Sequence, residues 1–129
     1  MNENFNLEII SPEKIILKIE TNEVIVPAFE GLITLLKDHI PLVTFLRPGI
    51  IEVKNKNELE KFYVEDGTVE FSNNNLLILS STIKNKKDFS GEEINRMIQE
   101  TNEQINRASI SDKNKYILSY KLSTLREIN

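Results

Sequence analysis

The stretch EGLITLLKDHIPLVTFLRPGIIEV, residues 30–53, does most to decide the fold of this chain. Its apolar runs flank a turn at 37–41, which holds the only histidine, His39. A second turn at 47–49 (RPG) leads into another apolar run. Short β-rich runs bounded by turn residues are typical of strands. The stretch contains no catalytic motif, so it predicts a rigid corner that presents a surface and favours a binding or assembly protein.

Nine candidate strands extend this pattern over residues 5–81. They occupy 5–10, 14–20, 23–29, 32–36, 42–46, 50–54, 59–64, 68–71 and 76–80. Short strands with turn signals at intervals of about 8–12 residues are typical of a sandwich or barrel. Asp66-Gly67 is predicted to form the tight turn of a hairpin, because both residue types tolerate positive φ. Pro27 cannot donate a backbone hydrogen bond, which predicts an edge strand or a bulge there.

The periodicity changes in the last third of the chain. Residues 83–88 are polar and cationic and are predicted to be a linker. Ser90 and Glu93 have the spacing of a capping box, in which each side chain bonds the other residue's amide, and Phe89 and Ile94 fit a hydrophobic staple. An apolar stripe then follows at three- and four-residue steps: Ile94, Met97, Ile98, Thr101, Ile105 and Ala108. This spacing predicts a helix with one narrow apolar face.

A second helix is predicted at 116–128, after a short break at 108–112 in which Ser111 is the expected N-cap. Because the connection is short, the two helices are expected to be antiparallel neighbours. The predicted architecture is therefore a β sandwich at 1–83 followed by an antiparallel α-helical hairpin at 84–129.

Composition excludes several classes of function. The chain has 129 residues, 40% of them hydrophobic, which is enough for one domain with a core. It has no cysteine, which excludes disulfides, thiolate metal sites and thiol catalysis. The net charge of −4 argues against nucleic acid as a partner. Residues 1–83 hold 7 Lys/Arg and 13 Asp/Glu (−6), whereas 84–129 hold 9 and 7 (+2).

The sequence offers no segment for membrane insertion. The N-terminal residues MNENFNLEII lack the basic region and the long apolar core of a signal peptide. No run reaches the roughly 18–20 apolar residues that span a bilayer. We therefore expect a soluble protein that reaches a membrane only through partners.

His39 beside Asp38 is the one pattern that suggests chemistry, because histidine titrates near neutrality and serves as a general base. No nucleophile motif and no second histidine accompany the pair. The carboxylates, Glu30 among them, are scattered rather than clustered, which argues against a metal site. The lysines of the 83–88 linker could bind phosphate, but lysines in a linker are more often only solvated. The sequence thus predicts no catalytic residues and no metal ligands.

The opening stretch resembles the epsilon subunit of F-type ATP synthase, which is called delta in mitochondria. That family reads approximately E-G-x-x-G-x-x-P-x-H-x-P-L and then x-P-G. This chain matches it at Glu30, Gly31, His39, Pro41, Leu42, Pro48 and Gly49. Thr34 replaces the family's second glycine and Lys37 its proline. Residues 66–71 (DGTVEF) resemble the family's G-G-x-x-E-V hairpin and 76–82 its V-T-V-L-A-D-T strand, so the resemblance covers nearly the whole chain.

The resemblance implies a ten-stranded sandwich and a non-catalytic rotor subunit that couples gamma to the membrane c ring in ion-driven ATP synthesis. It assigns contact with the c ring to Glu30, Gly31, Leu32 and Ile33. It assigns contact with gamma to His39, Ile40, Pro41 and Leu42. In the family the hairpin folds onto the sandwich or extends along gamma. In bacteria the extended form inhibits ATP hydrolysis, and it would reach the alpha and beta catalytic subunits.

ATP is the one small ligand that the resemblance implies, as a regulatory ligand rather than a cofactor. Some bacterial members bind it in the folded hairpin through an Ile/Leu-Asp-x-x-Arg-Ala motif. This chain has EEINRM at 92–97, in which Glu93 and Arg96 match the acid and the arginine. Arg126 of the second helix is a further candidate ligand. The capping box competes for Glu93, and the motif's flanking apolar and alanine positions differ.

Two other classes of function stay open at this point. One is an unrelated β-sandwich binding module whose hairpin recruits a partner helix, because periodicity alone fits that reading equally well. The other is a small enzyme that uses Asp38 and His39. Under the rotor hypothesis, the absence of a transit-like N-terminus predicts a bacterial protein held peripherally on the cytoplasmic face of the inner membrane.

Overall fold

The computed structural model of the chain describes residues 3–107 and 109–129. Within them it has ten strands, one 3₁₀ turn and two helices. The strands are β1 (Phe5–Ile10), β2 (Ile15–Thr21), β3 (Glu23–Ala28), β4 (Gly31–Leu35), β5 (Leu42–Leu46), β6 (Gly49–Asn55), β7 (Glu58–Val64), β8 (Gly67–Ser72), β9 (Asn75–Leu79) and β10 (Lys84–Asn85). The helices are α1 (Gly91–Ile105) and α2 (Asp112–Ile128). The predicted sandwich and hairpin are confirmed, and all nine predicted strands lie within one residue of their expected ends.

The ten strands form one sheet that folds over on itself at β3. The order is β10-β7-β6-β3-β5-β8-β9-β1-β2, and β4 also pairs with β3. β3 is antiparallel to β6 as far as the pair Ile25 and Glu52, and then to β5 at the pair Ala28 and Leu46. β3 therefore belongs to both halves of the sheet, which face each other across the core.

Pro27 lies in the interval where β3 changes partner. The prediction of an edge strand is wrong, because β3 has neighbours on both sides. The missing amide costs nothing here, since no ladder bond to β5 or β6 falls at this residue. The carbonyl oxygen of Pro27 accepts a hydrogen bond from the backbone amide of Arg47 at 3.0 Å. Proline is thus placed where the sheet bends.

Asp66-Gly67 does not close a hairpin, so that prediction is also wrong. β7 lies between β6 and β10, whereas β8 lies between β5 and β9, and the dipeptide connects the two halves of the sheet. The Ser80 hydroxyl donates to the carbonyl oxygen of Asp66 at 2.7 Å, and the amide of Glu65 donates to the Thr82 hydroxyl at 3.0 Å. These bonds replace the ladder that a hairpin would have supplied.

The main core fills the space between the two halves. Alternate residues of the strands point into it, as period-two patterning requires. Its buried members are Phe5, Leu7, Ile9, Val24, Val26, Leu35, Leu46, Ile51, Val53, Phe62, Val64, Val69, Phe71, Leu76, Ile78 and Ile83. Both halves of the sheet contribute, so the sandwich is a single packed unit.

The segment predicted as a linker is ordered structure instead. Ile83 joins the core, and β10 pairs with β7 through Lys84 with Tyr63 and Asn85 with Phe62. A 3₁₀ turn, Lys86–Asp88, follows, with the Asn85 side chain as its N-cap. A strand of two residues carries too little periodicity to be seen in the sequence. The division into domains at 83 and 84 stays a prediction.

The hairpin begins as predicted, but its capping box is incomplete. The Ser90 hydroxyl accepts a hydrogen bond from the amide of Glu93 at 3.1 Å, which confirms the cap. The Glu93 side chain instead pairs with a residue of β10. α2 begins at Asp112 rather than at Tyr116, with Ser111 as the expected cap. The prediction that Ala108 ends the apolar stripe of α1 falls outside the described residues.

A second, smaller cluster attaches the hairpin to the sheet. Its buried members are Tyr63, Ile94, Leu125 and Ile128, with Ile50, Phe89, Met97 and Ile98 packed around them. Ile50 and Tyr63 belong to β6 and β7, so the hairpin rests on the outward face of that half. Phe89 and Ile94 meet in this cluster, as the staple predicts.

Candidate protein-interaction surface

An exposed apolar column runs along β5 and the loop before it. Ile40 is 74% exposed, Val43 69% and Phe45 60%. Phe29, also exposed, lies beside its end, where the Phe29 amide donates to the Phe45 carbonyl oxygen at 3.2 Å. We call these four residues the β5 column. A cluster of large exposed apolar side chains is a candidate site of contact with another protein, because large apolar patches are uncommon on monomers.

The β5 column extends between the two stretches that the sequence singled out. Residues 30–33 begin β4 and residues 39–42 follow it, so they lie at opposite ends of that strand. From Gly31 to Leu35 the strand spans about 13 Å at ~3.3 Å per residue. The structure therefore does not bring the two stretches together. It makes them two separate places on the sandwich.

The first of these places is the turn between β3 and β4. The Thr44 hydroxyl donates to the Glu30 carboxylate at 2.8 Å, which fixes that side chain against β5. Leu32 is exposed, whereas Ile33 packs against the main core. Of the residues predicted to contact the c ring, Leu32 is thus the apolar side chain that remains available to a partner.

The second place is the corner around His39, which is held rigidly. The amide of Asp38 donates to Asn74 Oδ1 at 2.7 Å, and Asn74 Nδ2 donates to Asp38 Oδ1 at 2.9 Å. This reciprocal pair joins the loop before β5 to the turn between β8 and β9. His39 Nδ1 donates to the Ile40 carbonyl oxygen at 2.7 Å. The His39 ring packs edge-on against the Phe71 ring, with 5.7 Å between the two ring centroids.

The hypothesis of a catalytic dyad finds no support in these contacts. The Asp38 carboxylate accepts from Asn74 rather than from the imidazole. Nδ1 of His39 is occupied by the neighbouring backbone carbonyl. The hydrogen bonds of both residues hold the backbone conformation of the corner. Across residues 3–107 and 109–129, no three carboxylate or imidazole groups lie close enough to hold a metal ion.

Lys84 of β10 ties the hairpin to the sheet. Its Nζ lies 3.0 Å from Glu93 Oε1 and 3.2 Å from Oε2, and 4.5 Å from the centroid of the Phe89 ring. The carboxylate that the sequence offered to a capping box or to a nucleotide is therefore neutralised by an internal cation. The sequence predicted that the Glu93 side chain would bond the amide of Ser90 in a capping box. It pairs instead with Lys84 of β10, a strand that was not predicted.

The other two residues predicted to bind nucleotide are exposed on the hairpin. Arg96 Nε lies 3.9 Å from Glu100 Oε1, one turn further along α1. Asn129 Nδ2 donates to Asn95 Oδ1 at 3.3 Å, which places the end of α2 beside the start of α1. Arg96 and Arg126 thus lie at the same end of the hairpin, on its surface.

Two further polar contacts hold α2 on the sheet. The Tyr63 hydroxyl donates to Glu65 Oε2 at 2.8 Å, and Lys121 Nζ lies 3.4 Å from the same oxygen. Burial raises the pKa of Tyr63 above its usual range, so its hydroxyl keeps the donated proton. Arg47 lies over the ring of Tyr120, 4.0 Å from its centroid. The hairpin is thus held by a small apolar cluster with charged contacts around it.

Replacing Lys84 with methionine is expected to weaken hairpin docking by about 0.5–1 kcal/mol, since the ion pair is partly exposed. The α1 amides of the variant should exchange hydrogen faster than those of the unchanged protein. In the unchanged protein, 1 M salt should produce a similar increase, because salt screens the ion pair. The charge swap Lys84→Glu with Glu93→Lys should restore protection. Lys86→Met, in the exposed 3₁₀ turn, is the matched control. Equal exchange in the Lys84 and Lys86 variants would show that the pair does not hold the hairpin.

Neither of the two described helices is both long enough and apolar enough to cross a bilayer. The β5 column and the docked hairpin define the class of protein: a β sandwich with a surface suited to contact with other proteins. The family model described as "ATP synthase, Delta/Epsilon chain, beta-sandwich domain" matches residues 4–86. The chain belongs to this family of ATP synthase epsilon chains.

Relatives along the full chain agree with that assignment. The ATP synthase epsilon chain of Pelagibacter ubique is 45% identical over 130 residues, which cover 100% of both chains. The ATP synthase epsilon chain of Leptospira borgpetersenii is 33% identical over 113 residues, 88% of this chain and 86% of the relative. An unrelated β-sandwich module is thereby excluded, whereas the individual contact residues stay predictions.

Solved structures show the same fold at low identity. A chain of the Euglena gracilis mitochondrial ATP synthase, in a structure of its OSCP, F1 and c-ring, has a TM-score of 0.81 and 16% identity. The match covers 98% of this chain and 82% of that one. A chain from the central stalk and c-ring of the Tetrahymena thermophila enzyme has a TM-score of 0.63 at 16% identity, covering 95% and 92%.

The outward residues of β5 were missed as site residues, although the sequence carries a signal for them. In LVTFL the inward positions include Thr44 and Leu46, which are buried, and the outward ones are Val43 and Phe45. A strand with one face in water should be polar at outward positions. Apolar residues on both faces of a short antiparallel strand therefore indicate that the second face has a partner.

Proposed function

We propose that this chain is a non-catalytic subunit of the central stalk of a bacterial F-type ATP synthase, where it joins gamma to the c ring. Relatives named ATP synthase epsilon chain, one of them 45% identical over the whole chain, support this role. So do fold neighbours from a mitochondrial assembly of OSCP, F1 and c-ring and from one of the central stalk and c-ring. In this role the protein lies on the cytoplasmic face of the membrane, held there by its partners.

The single observation that carries the proposal is the β5 column. A surface for gamma begins at the predicted residues His39, Ile40, Pro41 and Leu42. It continues along Val43 and Phe45, which expose large apolar side chains next to that corner. Buried apolar anchors usually dominate the energy of such interfaces. The residues predicted from the sequence thus form one end of a longer surface.

The c-ring contact is assigned to the β3–β4 turn, with Glu30, Gly31, Leu32 and Ile33. Its separation from the His39 corner by the length of β4 lets one sandwich touch two partners at once. A close-packed core shared by both halves of the sheet makes the body between them stiff. Stiffness is what torque transmission from one partner to the other requires.

The hairpin is proposed to regulate ATP hydrolysis by leaving the sheet and reaching the alpha and beta subunits. The small second cluster and its charged surroundings support an attachment weaker than that of a core element. Regulation by ATP through Glu93, Arg96 and Arg126 stays a prediction. The Lys84–Glu93 pair favours a docked hairpin without any ligand, so ATP would have to displace Lys84 from that carboxylate.

Phe45→Asp is expected to lower the affinity for the gamma subunit by about 30-fold, because a charge replaces an exposed apolar anchor. The full-length chain and the gamma subunit of the same organism are purified, and affinity is measured by titration calorimetry. Stability should change little, because 60% of Phe45 is already exposed to water.

Leu59→Asp is the matched control for that experiment. Leu59 is similarly exposed on β7, in the half of the sheet that lacks the β5 column. It should bind gamma like the unchanged protein. Equal losses in the two variants would remove the β5 column from the interface, and no binding by the unchanged chain would overturn the proposed function.

A further inference from the structure

Four apolar side chains and one threonine form a row across the outward face of five neighbouring strands. Strand register aligns Phe45 with Thr68, Thr68 with Leu79, Leu79 with Ile10, and Ile10 with Ile15. We call these five residues the apolar row. At ~4.8 Å between strands the row is about 19 Å long. Phe45, Leu79 and Ile15 are exposed, so the row has no internal cover over most of its length.

The apolar row is a local feature rather than a property of the whole face. Two residues along β5, β8, β9 and β1, and three along β2 where the register shifts, the next row contains Val43, Glu70, Leu77, Glu8 and Lys18. The row beyond that contains Ser72, Asn75, Asn6 and Glu20. From β8 to β2 the face therefore changes from apolar to polar away from the hairpin, whereas on β5 exposed Val43 continues the apolar surface toward Ile40.

α2 turns most of the apolar row, from Phe45 to Ile10, into the floor of a crevice. The crevice is open, has a volume of about 1010 Å³, and is lined on the sheet side by Phe45, Leu79 and Ile10. Ile117 and Leu118 of α2 line the opposite side. Of the charged residues that line it, Glu65 and Lys121 already pair with each other at 3.4 Å, and the Asp66 carboxylate accepts a hydrogen bond from the Thr82 hydroxyl at 3.3 Å. What remains for a partner is mainly apolar surface.

The shape of the crevice selects the kind of occupant. Its floor is the outward face of strands, which offers side chains, so an added strand would find no backbone groups to pair with. The crevice follows the row from Phe45 to Ile10, about 14 Å, which matches some 10 residues of α-helix at ~1.5 Å per residue. An apolar helix face in an apolar groove is a common mode of recognition. A helix therefore fits the crevice better than a strand.

We infer that an apolar-faced helix of gamma occupies this crevice, so that α2 forms part of the binding surface for gamma. This inference rests on the proposed function. Phe45 belongs to both the β5 column and the apolar row, so the crevice continues the surface assigned to gamma. In the next row Glu8 lies opposite Lys18, whereas Glu70 lies between Val43 and Leu77, so Glu70, within a sandwich segment of charge −6, calls for a basic residue flanking the apolar face of that helix.

A consequence is that gamma binding and hairpin docking are coupled. The crevice exists only while α2 lies on the sheet, because Ile117 and Leu118 form one of its sides. A helix that contacts both sides binds the docked form more tightly than the undocked form. By linkage, gamma then favours the docked form by the same factor.

The test compares Ile117→Asp with Ser119→Asp in the full-length chain. Ile117 lines the crevice, whereas Ser119 is exposed on the same helix outside it. Ile117→Asp should lower the affinity for purified gamma by about tenfold, and Ser119→Asp should not. Leu79→Asp, on the sheet side of the crevice, should have the same effect without touching the hairpin. Gamma should also slow hydrogen exchange of the α2 amides in the unchanged chain.

The outcomes separate this inference from the proposed function. If Phe45→Asp loses gamma while Ile117→Asp and Leu79→Asp bind normally, the crevice is not part of the interface and the proposed function stands. If the unchanged chain does not bind gamma, both fall. If Ile117→Asp instead alters self-association in sedimentation experiments, the occupant is a second copy of this chain, which overturns the assignment to gamma.

Discussion

Replacing Gly67 with alanine is expected to lower the free energy of unfolding by roughly 2–6 kcal/mol, the largest effect of any single substitution proposed for this chain. Two causes act together. Gly67 has a φ of +148°, in a region that side-chain-bearing residues rarely adopt. A Cβ there would meet the Leu79 carbonyl oxygen, a backbone atom that cannot turn aside. Each cause costs about 1–3 kcal/mol.

The chain's four glycines separate these two causes. Gly31 has a φ of +127° but open space around its Cβ position, so Gly31→Ala measures backbone strain alone. Gly49 has no positive φ, but a Cβ there would lie 2.5 Å from Pro27 Cβ, so Gly49→Ala measures the steric clash alone. Gly91 has neither feature and is the control.

Urea unfolding of the four alanine variants, followed by circular dichroism, checks the series. Gly91→Ala should be neutral or slightly stabilising, because alanine favours the helix that begins there. The loss for Gly67→Ala should approach the sum of the losses for Gly31→Ala and Gly49→Ala. A Gly67 variant as stable as the Gly91 variant would mean that the connection between the two halves of the sheet tolerates a side chain.

Strand positions were predictable because each strand carries its own local signal. β5 and β9 are short runs of branched and aromatic residues between turn residues, and this pattern depends on no distant contact. The start of α1 was predictable for the same reason, since Ser90 and the amide of Glu93 are three residues apart. Local patterns specify local structure well.

The way the strands are joined was not predictable in the same way. Asp66-Gly67 supplies a turn, but the dipeptide does not determine whether the next strand returns beside β7 or crosses to the other half of the sheet. β10 depends on pairing with β7, which is some twenty residues away in the sequence. Pro27 was assigned to an edge strand or a bulge because proline lacks a backbone amide. The sequence did not show that the sheet folds over at β3, since that is a property of the whole sandwich.

The candidate site was predictable only in part for a related reason. The motif around His39 locates one end of the surface. The apolar row depends on five strands in register, and only the pairing reveals that Phe45, Leu79 and Ile15 align. The partner of Glu93 likewise depends on β10. When a surface is assembled from strands that are distant in the sequence, each strand carries only a weak signal of it. The apolar residues on both faces of β5 are such a signal.

The second large effect is expected at Leu125, whose side chain is fully buried between α2 and the sheet. Leu125→Ala should cost about 2–5 kcal/mol, because it leaves a cavity in the second cluster. That cluster is small, with Tyr63, Ile94 and Ile128 as its other buried members. The loss should therefore undock the hairpin and leave the sandwich folded. Hydrogen exchange should rise sharply for α1 and α2 and remain slow for β1, β8 and β9.

Leu122→Ala makes the same chemical change on the same helix and is the control. Leu122 is only half-buried and is not among the buried members of the cluster, so its effect on exchange should be much smaller. Undocking also removes one side of the crevice, so Leu125→Ala should weaken gamma binding even though Leu125 does not line it. If Leu125→Ala instead destabilised the sandwich and hairpin together, the two would unfold as one cooperative unit. The hairpin could not then leave the sheet by itself, because undocking would cost as much as unfolding the whole chain.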